Sequence, residues 1–513
     1  MWYNKSAGKI TKTGQKACTF KENEMYKKDR NHQIAFTDFN QPLGMQMNPD
    51  NRWVVKAKTI PWDRIEDKYA GLFPSDTGNV AKPLRMALGS LLIQQQFRYA
   101  DEELVEQIRE NPYYQYFIGL PGYVDEIPFV PSLLVEFRKR LNDEVMIEIN
   151  EMILEYNLSQ CYADDDNDDD SSNGSDDSDD DSSSDGAGGE EYDSSKNSGT
   201  LIIDATCAPQ NIKYPQDINL LNEAREKLEK LIKKICKEQN WYVPRTYCKQ
   251  ARKDYLNIAK CRKRSAKKLR AAIRKQLNYV RRDLGYVEWF LLQDGVEITQ
   301  KEAEMLDTIM KLYEQQLYMY ENNTHSVPDR IVSISQPYIR PIVRGKAKCP
   351  TEFGAKLDLS IDEYGMARLE KLSFDAYNES DVLITALENY RKRTGHYPKR
   401  ALADQLYRNR KNISYCKERG IRLSGRALGR PLNDPEADKK TEYKDNVDRI
   451  EVERKFSLAK RKFGLGLIRT KLEDTTKSSI IVAVIAMNVD RLTRLLIRWI
   501  FWIVFGKSAV AAY

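Results

Sequence analysis

Histidine is almost missing from this chain, with three in 513 residues. The eight cysteines (Cys18, Cys161, Cys207, Cys236, Cys248, Cys261, Cys349 and Cys416) are scattered, with no C-x-x-C pair and no histidine at ligand spacing. That excludes a structural zinc site and a disulfide framework, and points to reduced thiols in a cytoplasmic protein. A long apolar run is also missing. Ser479–Phe505 comes nearest, but Asp490, Arg491, Arg494 and Arg498 interrupt it, and Trp499–Phe505 is far short of the ~18–20 residues of a membrane span. The start, MWYNKSAGKITK, has no apolar core of a signal peptide. No membrane partner is expected, and the C-terminal stretch reads as a buried or partner-binding helix.

Positive charge is abundant. The formal net charge is only +6, but Asp164–Thr200 holds fifteen acidic residues against one basic residue, Lys196. That segment contributes −14, so the remaining chain carries +20. A folded body this basic implies a polyanionic partner, of which nucleic acid is the commonest. A membrane-surface role fits poorly, because the charge is not laid on one amphipathic helix with a wide apolar face.

Residues 1–78 show little periodicity and read as partly irregular. Residues 79–160 carry helical patterns: Leu84, Leu88, Leu91 and Leu92 share a face, a second helix covers Asp101–Glu110, and a third begins at Leu133. Short helices with tight turns make an all-α unit of the size that holds DNA. The Asp/Ser-rich stretch 161–200 cannot bury apolar area and is expected to be a disordered linker. A second unit is assigned to 201–495, with a basic helical insertion at about 217–325, and 496–513 is the apolar helix end.

Within 201–495 the order of elements is informative. Leu201–Ile203 reads as a short strand ending at Asp204. Helices follow at Asp217–Lys237, Val243–Leu284 and Lys301–Tyr320. Residues 353–361 alternate with period two and pair back through 366–374 as a hairpin. A helix from Ser380, a strand Ala401–Ala403 ending at Asp404, and a long helix over Asp445–Phe463 complete the series. The fold class is α+β: an RNase H-like mixed sheet flanked by helices, carrying a helical insertion, beside the all-α N-terminal unit. Such a sheet sets its first and fourth strands side by side, so Asp204 and Asp404 fall at adjacent strand ends, and Glu453 on the final helix can close the set. Three carboxylates at one point repel unless cations neutralise them. Mg²⁺, a hard oxygen-seeking ion, does this as a pair while aligning oxygens for phosphodiester displacement, with Mn²⁺ as a substitute.

Arg449, Glu453 and Lys460 stand at R-x3-E-x6-K, offsets that place all three on one helical face. This stretch is similar to the Y-x2-R-x3-E-x6-K signature of insertion-sequence DDE transposases, with Asn446 at the tyrosine position. The segment LIIDATCAPQNIKYPQD from Leu201 resembles the family's first catalytic block, and ALADQLYRNRKN from Ala401 its second. Lys82–Leu141, with ENPYYQYFIGL and FRKRL, resembles its N-terminal helical domain. The resemblance implies Asp204, Asp404 and Glu453 as catalytic metal ligands. It also implies double-stranded DNA as partner, both terminal inverted repeats and target, a homodimer on paired ends, and residence at the nucleoid. An inactive transposase relic that only binds DNA, and an RNase H-like nuclease, are the alternatives. For DNA contacts the sequence offers Arg449 and Lys460, the basic stretch with Lys263, Arg264, Lys267 and Lys268, and Arg344, Lys346 and Lys348 in RPIVRGKAK.

Overall fold

In the computed structural model, residues 35–73, 81–165, 196–343, 351–426 and 435–505 are described. Seven helices come first: α1 (Arg52–Lys58), α2 (Trp62–Ala70), α3 (Leu84–Phe97), α4 (Asp101–Glu110), α5 (Pro112–Phe117), α6 (Leu133–Arg140) and α7 (Asp143–Asp165). The first two lie where the sequence suggests irregular chain. They are short but locally specified: the Asn51 side chain accepts from Trp53 N at 2.9 Å to start α1, and Trp53, Val54, Ile65 and Tyr69 are buried. Helix α7 runs to Asp165, into the stretch expected to be linker; most of that linker lies outside the described residues.

Strand β1 (Thr200–Pro209) leads into the insertion, α8 (Asp217–Glu238), α9 (Cys248–Ala259), α10 (Ala266–Leu291) and α11 (Gln300–Glu321). The single helix expected over 243–284 is two, α9 and α10. Ser265 stops the run and caps α10 by accepting from Lys268 N. The sheet resumes with β2 (Arg340–Val343), β3 (Thr351–Ile361) and β4 (Ala367–Ser373), then α12 (Val382–Thr394), β5 (Arg400–Leu402), α13 (Arg410–Glu418) and β6 (Arg422–Leu423). Helices α14 (Pro435–Arg461) and α15 (Glu473–Phe505) finish the described chain. β3 lies between β1 on one side and β2 and β4 on the other; β5 joins the far side of β1 in parallel, and β6 follows it. The result is the mixed, RNase H-like order anticipated above. Among the described residues no helix is long and apolar enough to cross a membrane.

The two faces of β1 bury different partners. Leu201 and Ile203 pack with Leu383, Leu387 and Tyr407, while Ile202 packs with Ile361, Leu402 and Val452 of α14. The N-terminal helices do not form a separate body. One core joins Trp53, Leu88, Phe117, Phe137 and Ile149 to Leu357 and Leu359 of β3 and to Ile480–Leu492 of α15. Asn488 of α15 fixes this join. Its Oδ1 accepts from Ala367 N at 2.9 Å, and its Nδ2 donates to Ala367 O at 2.7 Å and to Asn150 Oδ1 at 2.9 Å. It satisfies the free edge of β4 as a further strand would.

Behind the sheet, on the α12 side, Asp358 of β3 is fully buried. Tyr407 Oη donates to it at 2.9 Å and Tyr377 Oη also donates to it. Tyr407 ends the 3-10 turn Gln405–Tyr407 that follows β5, so this network holds the turn carrying Asp404. Burial pushes the Asp358 carboxyl up to about 6, against the lowering effect of the two hydroxyls.

Two stability predictions follow from these contacts. Asn488→Leu leaves backbone groups of β4 without a full set of partners in the core and should cost about 3 kcal/mol in chemical denaturation; a change under ~0.5 kcal/mol would contradict the role given to this residue. A carboxyl whose folded-state pKa lies above its usual 3.8 favours folding when protonated. Its contribution is complete below about pH 4 and is lost as pH rises through about 6. The melting temperature of the wild type should therefore fall relative to that of Asp358→Asn between pH 4 and 7. Parallel curves would count against it.

Candidate active site

The parallel register of β1 and β5 pairs Thr200 with Arg400, Leu201 with Ala401 and Ile202 with Leu402. Carried two residues further, the same offset sets Asp204 level with Asp404. Asp204 does not end its strand as the sequence suggests. β1 continues to Pro209 because Ala205–Pro209 stay paired with β3 after β5 has stopped. Asp204 thus sits mid-strand on one side and at an open edge on the other. Asp404 follows β5 after Ala403, and its carboxylate caps the 3-10 turn, accepting from Gln405 N at 2.6 Å.

The two carboxylates differ in environment. The Asp404 side chain is 59% exposed, whereas Asp204 is largely buried. Burial pushes the Asp204 carboxyl above the usual range, and the charges of Glu379 and Asp404 push the same way. The Ala205 N–H, donating at 2.8 Å, and Arg449 oppose the rise. Its ionised form therefore gains from any positive charge brought to this edge.

Helix α14 is placed across that edge by ion pairs and one apolar plug. Arg422 of β6 donates to both carboxylate oxygens of the buried Asp445 at 2.6 Å, and Arg400 of β5 reaches Asp448 at 2.6 Å. Four residues past Asp448, Val452 enters the core formed by Ile202, Ile361 and Leu402. This anchoring turns Arg449 towards the aspartates. Its guanidinium stands 4.0 Å from Asp404, and its Nε is buried without a hydrogen-bond partner among the described residues. Glu453 is on the same face one turn further, exposed to solvent. The structure brings Asp204, Asp404 and Arg449 together; it does not bring Glu453 into contact with them. Among the described residues no three His, Cys, Asp or Glu side chains converge closely enough to hold an ion by themselves.

Lys460 lies further along α14, beside the N-terminal helices, where Arg98 donates to its backbone carbonyl at 3.4 Å. Lys263, Arg264, Lys267 and Lys268 are all exposed at the α9–α10 turn. Arg264 is engaged there, donating to Gln216 at 3.0 Å and to Ala259 O at 3.0 Å. The other three have no carboxylate partner among the described residues. Arg344, Lys346 and Lys348 lie outside the described residues. Sequence reasoning missed Glu379, which pairs with Lys356 at 2.8 Å and lies close enough to raise Asp204. It also missed Tyr407 and Asp358, whose contact behind the sheet supports the Asp404 turn. Only Tyr407 had a signal, its place in the block ALADQLY.

The donor set suits a hard cation. All three candidate ligands are carboxylates, and the partly buried Asp204 is the kind of anion that a divalent ion stabilises in place of water. The unpartnered Arg449 Nε suits a second oxyanion, such as a phosphate, at the same edge.

Comparisons with known proteins agree with this layout. A family model described as Transposase domain (DUF772) matches residues 42–140, the N-terminal helices. A second, Transposase DDE domain, matches residues 401–490, from β5 through α14 into α15. A curated relative from Rhizobium meliloti, "Uncharacterized protein ORF8 in nfe locus", is 30% identical over 117 residues, 23% of this chain and 56% of that protein. This chain thus spans little more than half the length of that relative. No solved structure matches. With a transposase domain model matching its N-terminal helices and a transposase DDE domain model matching the segment that bears Asp404, Arg449 and Glu453, the chain is similar to the insertion-sequence DDE transposases over those two stretches.

Proposed function

We propose that this chain is a transposase that binds the ends of its insertion sequence and catalyses metal-dependent strand cleavage and strand transfer at Asp204, Asp404 and Glu453. The observation that carries the reading is the shared level of Asp204 and Asp404 on neighbouring parallel strands, with Arg449 turned onto them by α14. The three carboxylates would hold Mg²⁺, and two such ions would supply Lewis-acid activation of the attacking and leaving oxygens of a phosphodiester.

The side chains around them do the rest. Asp204 is fixed by the Ala205 N–H and by the pairing of its strand with β3, so it presents its carboxylate without reorganisation. Asp404 is exposed and held on a turn, which leaves it open to the substrate side. Glu453 swings from one turn along α14 to complete the set. The Arg449 guanidinium, with Nε free of protein partners, holds a non-bridging phosphate oxygen beside the scissile bond. Lys460 lies on the same helical stripe and tracks the strand.

The insertion supplies a second DNA surface. Lys267 and Lys268 occupy the first turn of α10, which contains no acid. Cations at a helix N-terminus oppose the helix dipole, and this arrangement becomes favourable when a phosphate sits over it. Lys263, in the preceding turn, adds to the same patch. A membrane or acidic protein would serve as counter-charge too, but the carboxylate pair beside a phosphate-ready arginine favours nucleic acid.

Two experiments test this reading. On duplexes carrying the ends of the element with Mg²⁺, Asp204→Asn and Asp404→Asn should each cut strand cleavage at least about a hundredfold while leaving DNA binding intact. Cleavage by Asp204→Asn at the wild-type rate would remove the enzymatic reading. Changing Lys263, Lys267 and Lys268 together to Gln should weaken binding to all duplex sequences alike. It should also flatten the dependence of binding on salt, by about 0.9 in the log–log slope for each phosphate that is no longer neutralised. An unaltered salt slope would exclude the α9–α10 turn as a DNA contact.

A further inference from the structure

A cleft of about 810 Å³ lies where the N-terminal helices meet the end of α14 and the start of α15. Its walls come from α3, α4 and α6 on one side, and from the α14–α15 connection on the other. The lining is one-sided in charge. Arg98, Arg461, Arg469 and Lys471 are exposed at it, and Lys460 contributes from α14. The one acid in the lining, Asp101, is taken up by Arg138 at 2.5 Å and by Gln94 at 2.7 Å. Arg98, Arg461, Arg469 and Lys471 have no carboxylate partner among the described residues. Four unneutralised cations around one concavity repel each other, and an anion relieves that cost.

The cleft is built, not a gap between loosely apposed parts. The connection is pinned to the end of β1: Ile468 N donates to Pro209 O at 2.8 Å, and Asn211 N to Ile468 O at 2.8 Å. Gln95 of α3 donates to Phe463 O at 2.5 Å, bringing the N-terminal helices against the same segment. Gly464, at φ +74°, permits this approach, since a Cβ there would lie 2.8 Å from the Gln95 amide. Both walls are therefore fixed in relation to Asp204 through the sheet. Lys460 is eleven residues beyond Arg449 on one continuous helix, about 16 Å along its axis. At 3.4 Å per step of a strand, that is roughly five phosphates from the carboxylate pair.

We infer that this cleft is a phosphate-backbone subsite, in which Arg98 of the N-terminal domain and Arg469 and Lys471 of the catalytic domain jointly grip one DNA strand about five nucleotides from the scissile bond. It rests on the DNA-cleaving reading above and adds a site neither domain holds alone. The two domains read DNA as one continuous surface, with the spacing set by the shared core.

The test uses the full chain with duplexes from the ends of the element, each carrying one neutral methylphosphonate in place of a phosphate. Wild-type binding should drop several-fold when the neutral group lies about three to seven steps from the cleaved bond. In Arg98→Gln/Arg469→Gln/Lys471→Gln those same positions should become indifferent, whereas Arg98→Lys/Arg469→Lys/Lys471→Arg, which keeps the charge, should retain the wild-type pattern. If the Gln variant folds with an unchanged melting temperature and keeps the wild-type pattern, the subsite is refuted while the cleavage reading stands. If the wild type neither binds nor cuts these duplexes, the reading beneath it fails as well.

Discussion

From Ile480 to Leu492 nearly every described side chain of α15 is out of water, whichever way it points. A helix apolar on all sides must be surrounded, and here two bodies surround it. The N-terminal helices cover one side and the hairpin β3–β4 the other. Asn488, the buried polar residue at the centre of that contact, supplies the hydrogen bonds that an extra strand would make to β4. The N-terminal domain is consequently not a head on a tether. It is a wall of the same core, and every distance between it and the aspartates is set by α15 and the α14–α15 connection.

The carboxylate edge follows from a different compromise. Bringing Asp204 out of water beside Asp404 and Glu379 disfavours its charge, and the strand pairing that fixes its position leaves it no room to turn away. Arg449 offsets part of this, but at 4.0 Å from Asp404 it is a loose partner with a spare N–H. A tight bidentate pair, of the kind that Arg422 makes with Asp445, would have neutralised the edge and closed it. The loose contact leaves both the carboxylates and the guanidinium available to other partners. Glu453, exposed on the same face, is free of the strand constraint, and placing it with the aspartates requires a positive charge between them.

How much of this was readable in the sequence varied by element. The hairpin β3–β4 was legible because one face is apolar and the other carries Lys356, Asp358 and Ser360, so the period is unambiguous even though Asp358 and Ser360 are buried too. Asp404 was legible because Ala401–Ala403 is a short apolar run with the acid directly after it. The length of β1 was not: Ala205, Cys207 and Ala208 are small residues buried on both faces, and they give no alternation. α1 and α2 were overlooked because each is barely two turns long and Pro61 separates them. The break between α9 and α10 was hidden by a run of Lys and Arg, good helix formers on both sides of a single capping serine. The role of α15 was half visible. Its apolar character announced a partner, but a pattern that is apolar all round carries no direction, so the sequence could not say that the partner was the N-terminal half of the same chain. The supporting pair Tyr407 and Asp358 could not be paired from sequence at all, since the contact depends on the β1–β3 register behind the site.

The pairing of the cations separates two uses of positive charge. Arg138, Arg368, Arg400 and Arg422 are each matched to a nearby carboxylate, and each ties one element to another. The chain has no shortage of acids to extend that pattern. Yet Lys267 and Lys268 sit on the unfavourable end of α10, and Arg469 and Lys471 face a cleft whose single acid is already committed to Arg138. Neither placement helps the fold, and both cost stability through repulsion between like charges. Surface charge scattered without function tends to pair or to spread, because each lowers the energy of the free protein. Cations that instead stay gathered and unmatched, on rigid elements at fixed distances from a carboxylate edge, suit a partner whose own charges repeat at regular spacing, as those of the proposed nucleic-acid strand do.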